Sequence, residues 1–199
     1  MITVMFCNEG YQSERDNVLI LLNSKLNLMF QYEIDTMSKR ELAVDKLCDT
    51  IENEYHNEIN RSCDVISGYL NTIPKIKGAA ESVSEIVHIT FSKLKDEINR
   101  HFTNETEIIF PSIQKCRERH SVLNDTLVIF LRDTHNLIRS NVQKLRELLC
   151  DNVEPKKRSN NFKECINELF SLENKIYKWI DLEEKILFPK VKGRLSKAY

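Results

Sequence analysis

The sequence predicts an all-α protein whose main part is an up-down four-helix bundle. Glycine and proline are scarce, with four of each among 199 residues, whereas Leu, Ile, Lys, Glu and Asn dominate. Such a composition favours helices over tight hairpins. Apolar residues also recur at helical spacing through long stretches that are separated by a few breakers.

Four long segments carry the helical pattern. They are each ~40 Å long at the 1.5 Å rise of an α-helix, and short connections between such helices favour antiparallel neighbours. The predicted helices cover residues 41–70, 81–109, 121–149 and 162–187. The breaks between and after them are residues 71–78 around Pro74, Phe110-Pro111, residues 150–161 around Pro155, and Phe188-Pro189.

The two ends of the chain are predicted to lie outside the bundle. Residues 1–40 are polar and loosely patterned, and we expect a helical appendage there with one short helix near residues 17–30. The bundle is expected to occupy residues 41–193, and residues 194–199 form a C-terminal tail.

Charge and cysteine usage exclude several classes of protein. With 29 basic and 30 acidic residues the net charge is −1, which is unlike the basic surface of a nucleic-acid-binding protein. The longest apolar run, Val18 to Leu22, is too short to cross a membrane. Six cysteines occur without a CxxC pair, and we interpret them as reduced thiols of a cytoplasmic protein. They are Cys7, Cys48, Cys63, Cys116, Cys150 and Cys165.

The chain contains an internal repeat. The segment from His101 to Pro111 returns 78 residues later as the segment from Trp179 to Pro189, with Glu-x-x-Ile-x-Phe-Pro in both copies. His56 precedes His101 by 45 residues, and His135 precedes Trp179 by 44. The fold is therefore predicted to be two helix pairs related by pseudo-symmetry.

Buried seams run along the last three helices, and polar residues interrupt them. Such seams normally hold Leu or Ile. The second helix gives Val87, Phe91, Leu94, Ile98, His101, Glu105 and Ile108; the third gives Val128, Leu131, His135, Ile138, Val142, Leu145 and Leu149; the fourth gives Leu169, Leu172, Ile176, Trp179, Glu183 and Ile186. In the first helix the repeat, more than the local pattern, assigns His56 to the core.

The polar residues in the seams predict a metal centre. An uncompensated carboxylate in a low-dielectric core costs several kcal/mol, so Glu105 and Glu183 need partners. His101 lies one helical turn before Glu105, and both can reach the same cation. Singly, each histidine could be a hydrogen-bonded core residue and each glutamate could pair with a buried Arg or Lys. Together they favour a carboxylate-bridged metal pair, of iron or manganese, with zinc as a further candidate.

The other two histidines are not expected to bind the metal. His88 lies roughly 140° around the second helix from His101. We therefore expect it at the surface or in contact with a ligand residue, not with the metal. His120 falls in a charged connection and is expected to be solvated.

On these residues the chain resembles the hemerythrin-like, HHE cation-binding superfamily. Within it the chain is most similar to the di-iron repair-of-iron-centres proteins, which counter nitrosative and oxidative damage to iron-sulfur clusters. The resemblance covers about residues 45–192 and depends on Ile51-Glu-Asn-Glu-Tyr55-His56, the HxxxE and Phe-Pro of 101–111, Thr134-His135, and Glu183 with Ile186-Leu-Phe-Pro189. It implies two non-haem irons, with His56, His101, Glu105, His135 and Glu183 among the ligands.

The sixth ligand position of that family departs from the pattern. Where its second HxxxE would begin, this chain has Trp179. Neither Asp181 nor Tyr177 faces the same way on an ideal helix. One metal therefore loses a ligand, accepts water or is absent, and we expect Trp179 to fill the site or to contact a ligand.

Three functions follow as alternatives. The first is a cytoplasmic di-iron stress protein that handles NO, O₂ or peroxide or repairs damaged iron-sulfur proteins. The second is a reversible O₂ or NO sensor or carrier. The third is a degenerate, metal-free bundle that acts through protein contacts. Whether the protein is an enzyme and how it oligomerises are left open by the residues.

Overall fold

The computed structural model of the protein describes residues 35–72, 79–115, 125–151 and 160–196. The chain divides into two compact units, one up to Leu42 and one from Ala43 onward. In the first unit residues 35–41 form a helix, with an ion pair between Lys39 and Asp35 one turn apart. The short helix predicted near residues 17–30 lies outside the described residues.

Four long helices form the second unit, and three of them contain a π-helical turn. Helix α1 comprises Val44–Thr50, the π turn Ile51–His56 and Asn57–Thr72. Helix α2 comprises Ala79–Asn104, the π turn Glu105–Ile109 and Phe110–Lys115. Helix α3 is Asp125–Asp151 without interruption. Helix α4 comprises Asn160–Leu182, the π turn Glu183–Leu187 and Phe188–Ser196.

The predicted all-α bundle is confirmed, and neighbouring helices run antiparallel. Helix α1 packs against α4, α2 against α3, and α3 against α4. Between α1 and α2, His56 pairs with Glu105, and the later residue Asp64 pairs with the earlier residue Lys95. The two helices therefore run in opposite directions. Helices α3 and α4 also run antiparallel, because Arg139 pairs with Glu184 and the later residue Arg146 pairs with the earlier residue Glu173.

The two Phe-Pro breaks were predicted wrongly, because both helices continue through the proline. Helix α2 runs on to Lys115 and helix α4 to Ser196, three residues into the expected tail. In a regular helix the proline ring collides with the carbonyl four residues earlier. Here a π turn directly precedes each Phe-Pro pair, and the wider backbone of such a turn would relieve that collision.

The π turn in α2 also corrects one position of the predicted seam. Ile108 was expected to be buried, but it is 59% exposed, whereas the next residue, Ile109, is 4% exposed. The turn inserts one extra residue into the helical register, and this rotates Ile108 to the surface. The seam of α3, which contains no π turn, is buried at every predicted position from Val128 to Leu149.

Three of the cysteines are buried in the bundle. Cys48, Cys63 and Cys165 are buried free thiols, and burial raises the pKa of Cys48 and of Cys63 to about 12. These thiols are therefore poor nucleophiles and metal ligands.

Within the described ranges, no helix has the length and apolar character that crossing a membrane requires.

Candidate metal centre

The five predicted ligand residues meet in the middle of the bundle. His56 is the last residue of the π turn in α1, and Glu105 and Glu183 are the first residues of the π turns in α2 and α4. Their exposures are 5%, 1% and 0%, and those of His101 and His135 are 2% and 0%. Since π turns occur frequently at functional sites, their position at three of these residues supports a functional centre.

Glu105 lies between two imidazoles. Its Oε2 atom is 3.0 Å from His56 Nε2, on the neighbouring helix α1. Its Oε1 atom is 3.2 Å from His101 Nε2, one turn earlier on its own helix. Both carboxylate oxygens therefore face ring nitrogens, which are the donor atoms that imidazole offers to a metal.

Glu183 lies against the other side of the cluster, and one of its oxygens lacks a hydrogen bond. Its Oε2 atom is 3.1 Å from His135 Nε2 and 3.9 Å from His101 Nε2. The two Nε2 atoms are themselves 3.3 Å apart. Although it is buried, Oε2 accepts no hydrogen bond from any described residue. Two ring nitrogens and a carboxylate oxygen thus converge on one point, as they would around a cation.

Two sets of three donors are close enough to hold a metal ion. One consists of His101, His135 and Glu183, and the other of His56, Glu105 and Glu183; in each set the ligand atoms lie within 4.8 Å of one another. Imidazole and carboxylate together suit iron, manganese or zinc. The donors present therefore fit the metal centre that the sequence predicts, and the role of each residue as a ligand stays a prediction.

Two residues that were not predicted orient His135. Its Nδ1 atom is 2.8 Å from Glu184 Oε1, and Arg139 donates a hydrogen bond of 3.2 Å to the same oxygen. With Nδ1–H donating to Glu184, the Nε2 lone pair points into the centre, an arrangement common for metal-binding histidines. Sequence spacing did not reveal them: Arg139 is one turn beyond His135 and Glu184 follows Glu183 directly, but their contact depends on the packing of α3 against α4.

Trp179 occupies the middle of the cluster, as its place in the repeat predicted. It is 0% exposed, and its indole meets His101 and His135 edge-on, with ring centroids 5.1 and 5.3 Å apart. The indole N–H donates a hydrogen bond to Glu183 Oε1. The tryptophan therefore both fills the position of the missing imidazole and binds one of the two central carboxylates.

Phenylalanine rings enclose the outer faces of two histidines. His56 stacks on Phe102 with centroids 3.7 Å apart and ring planes inclined by 15°. His135 is parallel to Phe188 within 2°, with centroids 6.1 Å apart. The closer ring, Phe102, covers one face of the His56 imidazole, whose Nε2 atom is directed at Glu105.

Burial and the neighbouring ionisable side chains shift the pKa values of the groups in the centre. Burial lowers the pKa of His101, but the adjacent Glu105 carboxylate outweighs burial, and the pKa rises to about 10. Burial raises the pKa of Glu105, and the charge of Glu183 raises it further. For Glu183, burial raises the pKa, but the imidazoles of His101 and His135 reverse this effect and hold it far below its ordinary range. The pKa values of the two carboxylates are therefore shifted in opposite directions.

The remaining candidates lie apart from the cluster. His88 is half-buried on α2 and belongs to neither donor set, and His120 lies outside the described residues. Tyr177 is 37% exposed, and Asp181 pairs with Lys185 at 2.7 Å. Neither of these two side chains takes the place of the missing imidazole.

A polar cleft of about 380 Å³ reaches His56 from the protein surface. Asn57 and Asn60 of α1 and Asn99 and Thr103 of α2 line it, together with Phe102, which stacks on His56. A small molecule in this cleft would lie beside His56, whose Nε2 atom is 3.0 Å from Glu105 Oε2.

The chain is similar to known proteins over most of its length. Two iron-sulfur cluster repair proteins named ScdA, from two strains of Staphylococcus epidermidis, are each 22% identical to this chain over 195 residues, covering 94% of this chain and 87% of the relative. The similarity therefore extends into residues 1–40, beyond the range of the sequence resemblance. No solved structure gives a significant match.

The family model described as the hemerythrin HHE cation-binding domain matches residues 49–191, which include all five candidate ligands and Trp179. Because this match covers well over half of the sequence, the chain belongs to the hemerythrin HHE cation-binding domain family.

Proposed function

We propose that this protein is a cytoplasmic non-haem iron protein of the nitrosative and oxidative stress response, and that it maintains iron-sulfur clusters. One observation carries the proposal: three imidazoles and two carboxylates are buried together, and Glu183 Oε2 accepts no hydrogen bond from the described residues. A buried, unsatisfied carboxylate oxygen is costly, and a bound cation removes that cost.

The relatives support the choice of cluster repair among the functions open to an iron centre. Both ScdA proteins carry that activity in their names, and their similarity spans most of the chain. Fold alone does not determine function. More specific support for a metal centre is that the family model of a cation-binding domain matches residues 49–191, a range that includes all five candidate ligands.

The chain's own residues would have distinct tasks in this function. Bound iron would supply redox chemistry and an open position for a diatomic ligand. His56, His101, His135 and the two carboxylates would hold the iron. Glu184 and Arg139 would keep His135 in one tautomer. The rings of Phe102, Phe188 and Trp179 pack around the histidines.

Recovery of a cluster-dependent dehydratase after NO exposure tests the proposal. Cells that lack the protein should regain dehydratase activity more slowly, and the wild-type chain should restore the rate. The His101→Ala variant should fail to restore it, whereas His88→Ala, on the same helix but outside the cluster, should succeed. Equal rescue by both variants would contradict the role of the centre.

The cleft beside His56 favours a second function, reversible binding of O₂ or NO as a sensor or carrier. Its polar walls and its volume of about 380 Å³ would admit a small molecule close to the centre. Reversible optical changes on addition of NO, without any delay in dehydratase recovery in cells that lack the protein, would select this function instead. A chain that binds no iron after anaerobic purification would favour the metal-free bundle.

A further inference from the structure

The cleft that reaches His56 is acidic as well as polar. Besides its asparagine and threonine side chains, the carboxylates of Glu52 and Glu107 line it, and none of the described residues along its walls is Lys or Arg. Carboxylate and amide oxygens are ligands that replace water around hydrated divalent cations. Walls that carry one sign of charge also raise the local concentration of the opposite ion. The cleft therefore suits a small cation better than an anion.

His56 connects this cleft with the buried cluster. Of the five candidate ligands, His56 alone is among the described residues that line the cleft, and with 5% exposure it is the least completely buried of them. Its Nε2 atom is directed at Glu105 Oε2, at 3.0 Å. An ion in the cleft would therefore meet His56 first among the candidate ligands.

The structure holds His56 and His135 in different ways. His135 Nδ1 is bonded to Glu184, which Arg139 also binds. His56 Nδ1 makes no hydrogen bond within the described part of the chain, and solvent reaches this atom. The His56 ring is thus held by Glu105 and by packing against aromatic rings, without the outer polar partner that usually fixes a metal-binding histidine. It is the candidate ligand best placed to turn.

We infer that this cleft is the port through which a divalent metal ion enters and leaves the centre, and that His56 is its gate. A hydrated cation would exchange water for the oxygens of Glu52 and Glu107. The His56 ring would then turn away from Glu105 and return once the ion has passed. The inference rests on the proposed function, since both require a metal in the cluster, and it adds the route and the residues that control the rate of loading.

Rates of metal uptake by the full chain test the port. Trp179 is the only tryptophan in the sequence and contacts His101 and His135, so its fluorescence reports the arrival of Fe(II) at the cluster. Anaerobic stopped-flow mixing of the metal-free protein with Fe(II) gives the rate, and iron retained after rapid desalting measures it independently. The double variant Glu52→Gln/Glu107→Gln should load ~10-fold more slowly and reach the same final iron content.

A matched control removes two carboxylates far from the cleft. Glu85 lies 20 residues before Glu105 on α2, and Glu164 lies 19 residues before Glu183 on α4, which is ~30 Å at the rise of an α-helix. At an ionic strength of ~0.15 M the Debye length is ~8 Å, so Glu85→Gln/Glu164→Gln should load at the wild-type rate. Equal rates in the two double variants would overturn the port.

Variants of the stacking rings test the gate. The Phe102 ring lies against His56, with centroids 3.7 Å apart, whereas Phe188 is 6.1 Å from His135. Phe102→Leu should raise the rate of Fe(II) uptake and the rate of its removal by a chelator several-fold each, and leave the dissociation constant unchanged, because a gate alters only the barrier. Phe188→Leu should keep both rates near those of the wild type.

A structural role for Phe102 gives a different result. A Phe102→Leu variant that binds Fe(II) more weakly but takes it up no faster has lost packing alone, and this would overturn the gate. Circular dichroism of the Phe102 and Phe188 variants establishes that each is folded.

The inference and the proposed function fail in different ways. If Glu52→Gln/Glu107→Gln loads as fast as its control while the wild-type chain restores dehydratase recovery, the port is overturned and cluster repair stands. If this variant loads slowly while cells lacking the protein recover normally, cluster repair is overturned and the port stands. A chain that takes up no iron overturns both.

Discussion

Replacing Trp179 by alanine should destabilise the protein more than any exposed aromatic substitution on the same helix. The side chain is 0% exposed and contacts His101, His135 and Phe102 with ring centroids 5.0 to 5.3 Å apart. Truncating a buried tryptophan or phenylalanine to alanine costs ~3–5 kcal/mol through lost contacts and the remaining cavity. The variant also deprives Glu183 Oε1 of its donor, which adds ~1–3 kcal/mol for a buried acceptor.

We therefore expect Trp179→Ala to lower the free energy of unfolding by about 4 kcal/mol or more. For a domain of this size the thermal midpoint should fall by ~10–20 °C. The assay is thermal and urea unfolding followed by circular dichroism in the presence of a chelator, because the variant has no tryptophan to fluoresce.

Phe170→Ala is the matched control, since Phe170 is an aromatic residue on the same helix that is 44% exposed. Its cost should be below ~1 kcal/mol. Trp179→Phe, which keeps much of the ring volume, should lie between the two. If Trp179→Ala and Phe170→Ala destabilise equally, residue 179 does not pack in the core, and the placement of Glu183 beside it fails as well.

Three further predictions concern the metal. Glu105→Ala should lower iron occupancy much more than His88→Ala, because only Glu105 lies in the cluster; equal occupancies measured by elemental analysis would contradict this. Glu184→Gln should weaken metal binding ~10-fold in a chelator competition, because it removes the negative charge at His135 Nδ1; unchanged affinity would show that Glu184 does not orient the ring. The pKa of His101 is about 10 in the folded chain, against 6.5 in the unfolded chain. Protonation of His101 therefore stabilises the metal-free protein fully below pH 6.5, and this stabilisation is lost as pH rises toward 10. Since a metal replaces that proton, the increase in thermal midpoint on adding zinc should grow from pH 6.5 to 9, and a constant increase would argue against it.

The positions of the helices and of the buried cluster could be predicted because both depend on periodicity. A helical seam that holds His101 and Glu105 among Leu and Ile requires them to face the core, whatever the details of packing. The repeat then extended the assignment to Glu183 and to His56, whose own surroundings are mixed. The same argument located Trp179, since an offset of 78 residues places it where a ligand stands in the other copy.

The features that could not be predicted depend on contacts between helices or on one-residue changes of register. Glu184 and Arg139 lie 45 residues apart and meet only because α3 and α4 pack together. The π turn at Glu105 is hidden because Ile108 and Ile109 are both apolar, so the sequence satisfies either register. Only the backbone decides which isoleucine is buried.

The π turns also account for the prolines, and this can be tested by changing the register. In α2 the N–H of Phe110 bonds to the carbonyl of Glu105, five residues earlier, directly before Pro111. Deleting the exposed Ile108 should convert the π turn into regular helix. The ring of Pro111 would then collide with the carbonyl four residues earlier, which should lower the free energy of unfolding by ~3 kcal/mol.

Pro111→Ala should then stabilise the deletion variant by ~3 kcal/mol and the parent chain by less than ~1 kcal/mol, because only the regular helix collides with the proline ring. Urea unfolding of the four chains gives the coupling between the two changes. An equal effect of Pro111→Ala in both backgrounds would show that the π turn does not accommodate the proline, and the continuation of α2 to Lys115 would need another cause.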